Sequence, residues 1–205
     1  MSFPVDLSST MTGATLNQLA YWRSTGLLVP ELGRRPRALY SFRDLVALRT
    51  VVHLRRNSSL QSVRRAFAQL DRMDLTDHPS QYKLVSQGRS IVLVQDERSI
   101  DLVTHPGHEV LATLEDIFEP FVTQRGRHVP SFTEPREHIR VREHRLGGWP
   151  TIRDTRIPYD TVAALVSDGS ISPDQVVLYY PTVPPEAVED AVDFAHEVAH
   201  AKGAA

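Results

Sequence analysis

The chain turns from one helical segment into the next within three residues, Thr12-Gly13-Ala14, and this connection dictates the layout around it. Asp6 can start a first helix that Gly13 stops, and Thr15 can cap a second over residues 16–25, closed by Gly26. Leu16, Leu19 and Ala20 would line its inward face, which leaves Asn17, Gln18 and Tyr21 on another side. A loop rich in proline, glycine and arginine follows (Pro30-Glu31-Leu32-Gly33-Arg34-Arg35-Pro36-Arg37) and ends in an extended Ala38-Leu39-Tyr40. Ser41 then caps a third helix with Leu45, Leu48, Val51 and Val52 at helical spacing. Asn57-Ser58-Ser59 breaks it, and Leu60, Val63, Phe67 and Leu70 form the stripe of a fourth.

From Pro79 the period changes. Leu84-Val85, residues 91–94 and residues 100–103 are short β-type runs parted by Gln87-Gly88 and Asp96-Glu97-Arg98, which predicts a small meander. Residues 110–121 read as one amphipathic helix, and residues 124–135, with Gly126, Pro130 and Pro135, as a polar connector. Ile139-Arg140-Val141 and Pro150-Thr151-Ile152 suggest paired strands, followed by helices over about 159–166, 173–179 and 185–199, the last two opened by prolines. The expected fold is therefore mainly α with a small β meander. Its divisions are 1–75, 76–123, a linker 124–137, and a helical unit 138–205.

Charge is divided along the chain. Residues 1–75 hold eleven arginines against five acids, or +6, and the remainder sums to −8; beyond Ile157 only Lys202 opposes eight acids. A basic head suits a polyanion and an acidic end suits a basic protein surface. The arginine bias, 21 against two lysines, favours forked phosphate contacts, although genomic base composition gives the same ratio. There is no cysteine, which removes thiolate chemistry, disulfides and Cys-ligated metal. No membrane-length apolar run or signal-type start is present, so a cytoplasmic protein is expected.

Helix, tight turn, helix and arginine loop is the layout of a winged helix-turn-helix. The second helix would enter a major groove while Arg34, Arg35 and Arg37 neutralise phosphates beside it. Thr12-Gly13-Ala14-Thr15, Leu19-Ala20-Tyr21-Trp22 with Gly26-Leu27-Leu28, and Leu39-Tyr40-Ser41 with Asp44-Leu45 resemble, in that order, the MerR-type DNA-binding domain over roughly residues 3–70. The resemblance implies DNA contacts from Thr15, Asn17, Gln18, Tyr21, Arg34, Arg35, Arg37 and Tyr40. The family usually has basic residues in the recognition helix and before the wing tyrosine. Here Asn17 and Ala20 occupy the first place, and Ala38 and Leu39 the second. No long dimerising helix follows the fourth helix.

The string Gly148-Trp149-Pro150-Thr151-Ile152-Arg153-Asp154-Thr155-Arg156-Ile157-Pro158, followed by Gly169, Ser172-Pro173-Asp174, Tyr180-Pro181 and Pro184-Pro185-Glu186, resembles the domain-of-unknown-function family 433 over about residues 139–198. Asp154 stands where that family most often has glycine. The resemblance implies a small three-helix, helix-turn-helix-like domain of the kind found in antitoxins encoded beside PIN-like ribonuclease toxins. With the MerR-like head, the whole resembles VapB-type antitoxins. It implies an autorepressor that binds operator DNA as a homodimer and a cognate PIN-like toxin, with Arg153, Thr155 and Arg156 either touching that partner or tying the hairpin to its helices. The central β-region and the terminal unit are both candidates for pairing protomers. The other reading is a MerR-like regulator whose C-terminal domain binds another partner or a ligand.

One motif points elsewhere. His196-Glu197-Val198-Ala199-His200 fits the H-E-x-x-H zinc-protease pattern, but a catalytic zinc needs a third ligand and too few residues follow to supply it. No phosphate-cradling or nucleophile-elbow string appears. No cofactor, no metal and no catalysis are expected.

Overall fold

The computed structural model describes residues 2–33, 37–75, 77–87, 90–95, 98–107 and 117–203. β1 (Phe3–Pro4) leads into α1 (Val5–Thr12), and α2 (Leu16–Ser24) follows the turn. β2 (Leu39–Tyr40) pairs antiparallel with β1, and α3 (Phe42–Leu54) and α4 (Leu60–Arg72) complete the head. Ser41 and Ser59 accept hydrogen bonds from the N–H groups of Asp44 and Ser62; the Ser41 cap is the expected one, and Ser59, read only as part of a helix break, also opens the next helix. The meander is present as β3 (Lys83–Gln87), β4 (Ser90–Gln95) and β5 (Arg98–Asp101), in that antiparallel order. Overall the chain is α+β, with small antiparallel sheets set among helices.

The stretch expected to be a helix and then a linker departs from its reading. Residues 110–116 lie outside the described residues, but the end of the supposed helix is a turn, and Phe121 begins β6 (Phe121–Val122), paired with β7 (His128–Val129). The polar 124–137 connector is therefore largely a hairpin bound to the head. Val129 and Phe132 are fully buried in the common core, because two apolar residues placed just beyond a five-residue polar tip outweigh its surface character.

Arg49 makes that docking possible. It sits on α3 without solvent exposure and donates to the carbonyls of Met11 (2.8 Å), Glu119 (2.9 Å), Pro130 (2.8 Å) and Ile117, with Phe118 O at 3.4 Å. The Phe121 and Phe132 rings lie 5.0 and 5.5 Å from its guanidinium carbon. One planar cation thus gathers α1 and both feet of the hairpin, since its fork offers five donors in a fixed geometry.

β8 (Ile139–Arg140) pairs with β9 (Thr151–Ile152), and α5 (Tyr159–Val166), a 3-10 segment Pro173–Leu178 and α6 (Pro185–Gly203) close the chain. Where a helix over 173–179 was expected, the turns are the tighter 3-10 type, and α6 runs to Gly203, beyond the expected 199. The two ends of the chain share one hydrophobic cluster that runs from Phe3 to Phe194. α1 explains how: its sequence is mostly small hydroxyl residues, and it packs on α3 with one side and on α6 with the other. Two of its buried hydroxyls return to backbone carbonyls, Ser8 Oγ to Pro4 O (2.8 Å) and Thr12 Oγ1 to Ser8 O (2.6 Å), while among the described residues the buried Thr10 hydroxyl finds no partner. Phe3 stacks on Trp149 at 5.7 Å, and Gly148, at φ +85°, lets the ring of Phe42 lie where any side chain would collide.

Replacing Arg49 with leucine strands at least four carbonyls. The expected cost is about 3–5 kcal/mol, checked by urea unfolding. Limited proteolysis should find new cleavage between residues 117 and 130.

Candidate nucleic-acid interface

The recognition helix is positioned by its turn and its cap. Gly13, in the left-handed region at φ +79°, donates its N–H to Ser9 O at 2.9 Å. Thr15 then opens α2 with a reciprocal capping box: the Gln18 N–H donates to Thr15 Oγ1 (3.2 Å) and the Thr15 N–H donates to Gln18 Oε1 (2.9 Å). Leu19 and Trp22 are the fully buried side chains of α2. Ala20, expected inward, is exposed, as are Asn17, Tyr21 and Ser24, and these four make one continuous outward face.

The sequence-derived DNA contacts divide accordingly. Asn17 and Tyr21 are presented outward, Tyr21 being 50% exposed with the Arg64 guanidinium 5.5 Å from its ring centre. Thr15 and Gln18 are half-buried, and the capping box engages the Thr15 hydroxyl and Gln18 Oε1. Reading adenine by a bidentate pair needs both the oxygen and the nitrogen of an amide, so Gln18 can do this only by breaking its own cap. Asn17 carries no such constraint from the box.

On the wing, Arg37 is exposed, whereas Arg34 and Arg35 lie outside the described residues. Tyr40 needs correction. Its side chain is 1% exposed and its hydroxyl is buried with the ring, because pairing of β2 with β1 turns that ring into the core. It supports the wing stem rather than facing a phosphate. Trp22 is likewise 1% exposed and belongs to the core.

A buried carboxylate fixes the base of the wing. Asp44 Oδ2 accepts the N–H groups of Ser41 (2.8 Å) and Glu31 (3.0 Å), while Oδ1 faces His78 Nε2 at 3.3 Å. Glu31 in turn accepts from Ser41 Oγ and Arg43 Nη2, both at 2.7 Å. The ligand atoms of Glu31, Asp44 and His78 fall within 4.8 Å of one another, but these hydrogen bonds already account for the grouping as a clamp between wing and α3. Burial raises the Asp44 pKa, yet His78 and the two backbone N–H groups more than offset it and hold the carboxyl below its ordinary value.

At the far end of the chain, Thr155 serves the fold. Thr155 Oγ1 donates to Ile152 O (2.7 Å) and accepts from the Ile157 N–H (3.1 Å), which ties the turn after β9. The left-handed residue of that turn is Arg153, at φ +42°, not Asp154, which instead accepts from Arg145 (3.1 Å). Arg153 and Arg156 are exposed. Glu197 of the H-E-x-x-H string accepts from Arg136 Nη2 at 2.7 Å, and Asp193 accepts from Arg136 Nε at 2.8 Å. His138 is 8% exposed and sits against Asp190 Oδ2 at 2.8 Å.

Residues 7–70 match the model described as MerR HTH family regulatory protein, and residues 139–195 match that of Protein of unknown function (DUF433). The chain carries a MerR-family helix-turn-helix domain at its N-terminal end and a DUF433 domain at its C-terminal end. No curated protein and no solved structure matches it. The MerR-type match covers the turn, α2 and the wing described above. The DUF433 match covers β8, β9, α5 and most of α6.

Two outcomes are expected. Asn17→Ala should change base preference at one position by about 1–3 kcal/mol, read by binding to a randomised duplex pool, while Gln18→Ala should mainly lower stability by about 1 kcal/mol through loss of the box. Because the folded pKa of Asp44 is depressed, its stabilisation is complete above the ordinary carboxylate value and is lost as pH falls through the lower folded value. Thermal unfolding of wild type should therefore drop more steeply on acidification than that of Asp44→Asn, which starts about 1–3 kcal/mol lower at neutral pH.

Proposed function

We propose that this protein is a non-catalytic cytoplasmic regulator, the antitoxin and autorepressor of a type II toxin–antitoxin pair. Its MerR-type domain binds operator DNA upstream of its own gene as a homodimer, and its DUF433 half neutralises a PIN-like ribonuclease by direct binding. The observation that carries the DNA reading is the outward face of α2, with Asn17 and Tyr21 exposed beside the exposed Arg37 of the wing. Twofold pairing follows from size, since one short recognition helix contacts too few base pairs to be specific alone.

What supports a protein partner is apolar surface rather than charge. The acids expected to receive a basic partner are partly engaged within the chain: Asp190 with His138, and Asp193 and Glu197 with Arg136. By contrast Val177, Leu178 and Tyr179 are 41%, 76% and 59% exposed side by side on the 3-10 segment, an arrangement typical of a recognition anchor. The toxin's identity as a PIN-like nuclease rests on the resemblance to VapB-type antitoxins. Among the described residues no helix is long and apolar enough to cross a membrane.

A second reading, a MerR-like regulator with a C-terminal ligand site, is favoured by one feature. A groove of about 510 Å³ lies between α5 and α6, lined by Tyr159, Asp160, Ala163, Val192, Ala195 and His196, and its volume suits a small molecule. Co-expression with the open reading frame beside its gene separates the two. Rescue from that neighbour's toxicity and co-purification, both lost in Leu178→Asp, are expected of the antitoxin. Binding of upstream DNA without any rescue would leave the ligand-responsive regulator.

A further inference from the structure

The β6–β7 hairpin lies outside both matched segments, yet it stands against the N-terminal end of the recognition helix. We propose that this hairpin is a second wing, which sets Arg125 against the phosphate backbone on the side of α2 opposite the β2 stem. The inference rests on the DNA-binding reading above and assigns it a further contact element.

The placement follows from the register of α2. Successive residues advance by about 100° around a helix, so Asn17, Ala20, Tyr21 and Ser24 share the exposed face, Gln18 borders it on one flank and Arg23 on the other. Arg23 lies by Tyr40, on the side of the wing stem. Gln18 lines a cleft with Thr15, Arg55, Gln124, Arg125 and Arg127. The outward face of α2 is therefore bracketed, by the Tyr40 end of the wing stem on one flank and by the hairpin tip on the other.

That cleft is electrostatically one-sided. Its lining includes three arginines and no carboxylate, as a surface facing a polyanion should. Arg125 is exposed at the tip beside Gly126. Arg127 is half-buried, its Nη2 lying 3.4 Å from Ser9 O, so it serves as an anchor while Arg125 reaches outward.

The hairpin is also held in register by the helix-turn-helix itself. Arg49 binds Glu119 O before it and Pro130 O after it. Val129 occupies the space that a Cβ on Gly13 would need, which couples the hairpin directly to the turn between α1 and α2. Gln124 Nε2 donates to Arg56 O at 3.1 Å, which joins the tip to the α3–α4 connection, and Thr123 N–H donates to Arg127 O at 2.9 Å across the turn. A loop so fastened loses little entropy on binding, which is the condition for a useful phosphate contact.

The test uses the full chain and two duplexes, one covering the stretch immediately upstream of its own coding sequence and one of mixed sequence. Affinity is measured across a salt series for wild type, Arg125→Ala, Arg125→Lys and Arg37→Ala, with thermal unfolding to confirm that the exposed substitutions leave the fold intact. Arg125→Ala should bind both duplexes about three- to tenfold more weakly and flatten the log–log salt slope by about 0.9, one phosphate contact; Arg125→Lys should restore the slope. Wild-type affinity and slope in Arg125→Ala, with Arg37→Ala weakened, would sink the second wing and leave the DNA reading standing. Failure of wild type to bind either duplex would overturn that reading, and the second wing with it.

Discussion

A single buried guanidinium decides how this chain is assembled. Placing an arginine on the inner side of α3 would cost several kcal/mol were its donors left unmet. They are met by backbone carbonyls from α1 and from the segment that precedes and follows β6–β7. The consequence is positional. Carbonyls cannot move independently of their chain, so Arg49 fixes both feet of the hairpin and the C-terminal end of α1 at once, and two flanking phenylalanine rings shield the charge from water.

The helix-turn-helix is consequently not an appended module. α1 gives one face to α3 and the other to α6, which its serine and threonine side chains permit because they are small, and two of them, Ser8 and Thr12, bond to backbone carbonyls one turn earlier. In the same way Gly13 and Gly148 admit Val129 and Phe42 where a Cβ would not fit. The recognition helix thus hangs on a turn whose surroundings come from three distant parts of the sequence. Its presentation depends on residues far outside the segment that the MerR-type model covers.

Much of this was legible from sequence, and the failures share a cause. Caps at Thr15 and Ser41, and the strands of the meander, are local signals: a hydroxyl that meets a nearby N–H, or alternation over a few residues. Those were placed correctly. Tyr40 was taken for a surface residue because the loop before it is basic, but its orientation depends on pairing with β1, a contact across more than thirty residues. Residues 124–135 looked like a linker because the tip of a hairpin is polar, while Val129 and Phe132, buried by the head, were too few to show a period. Arg49 carried a signal that was overlooked. It lies four residues after Leu45 and three before Val52, so it sits on the apolar stripe itself, and a charge there must find partners inside the fold.

The charge asymmetry illustrates why composition alone misassigns partners. A basic head and an acidic end suggested two external surfaces of opposite sign. Within the fold, part of the acidic end is engaged by the chain itself: Arg136 is clamped by Asp193 and Glu197, and Asp190 accepts the backbone N–H of His138 at 2.8 Å. These contacts hold α6 onto the β8 region, and part of the negative charge they would have offered a partner is cancelled at short range by Arg136. The arginines at 37 and 125 meet the opposite fate, exposed on elements that flank α2. Net charge by segment does not locate these cations, since Arg125 belongs to the net-negative remainder of the chain. It is also a poor guide to the acidic end, where the surface left for a partner is the apolar run at Val177, Leu178 and Tyr179.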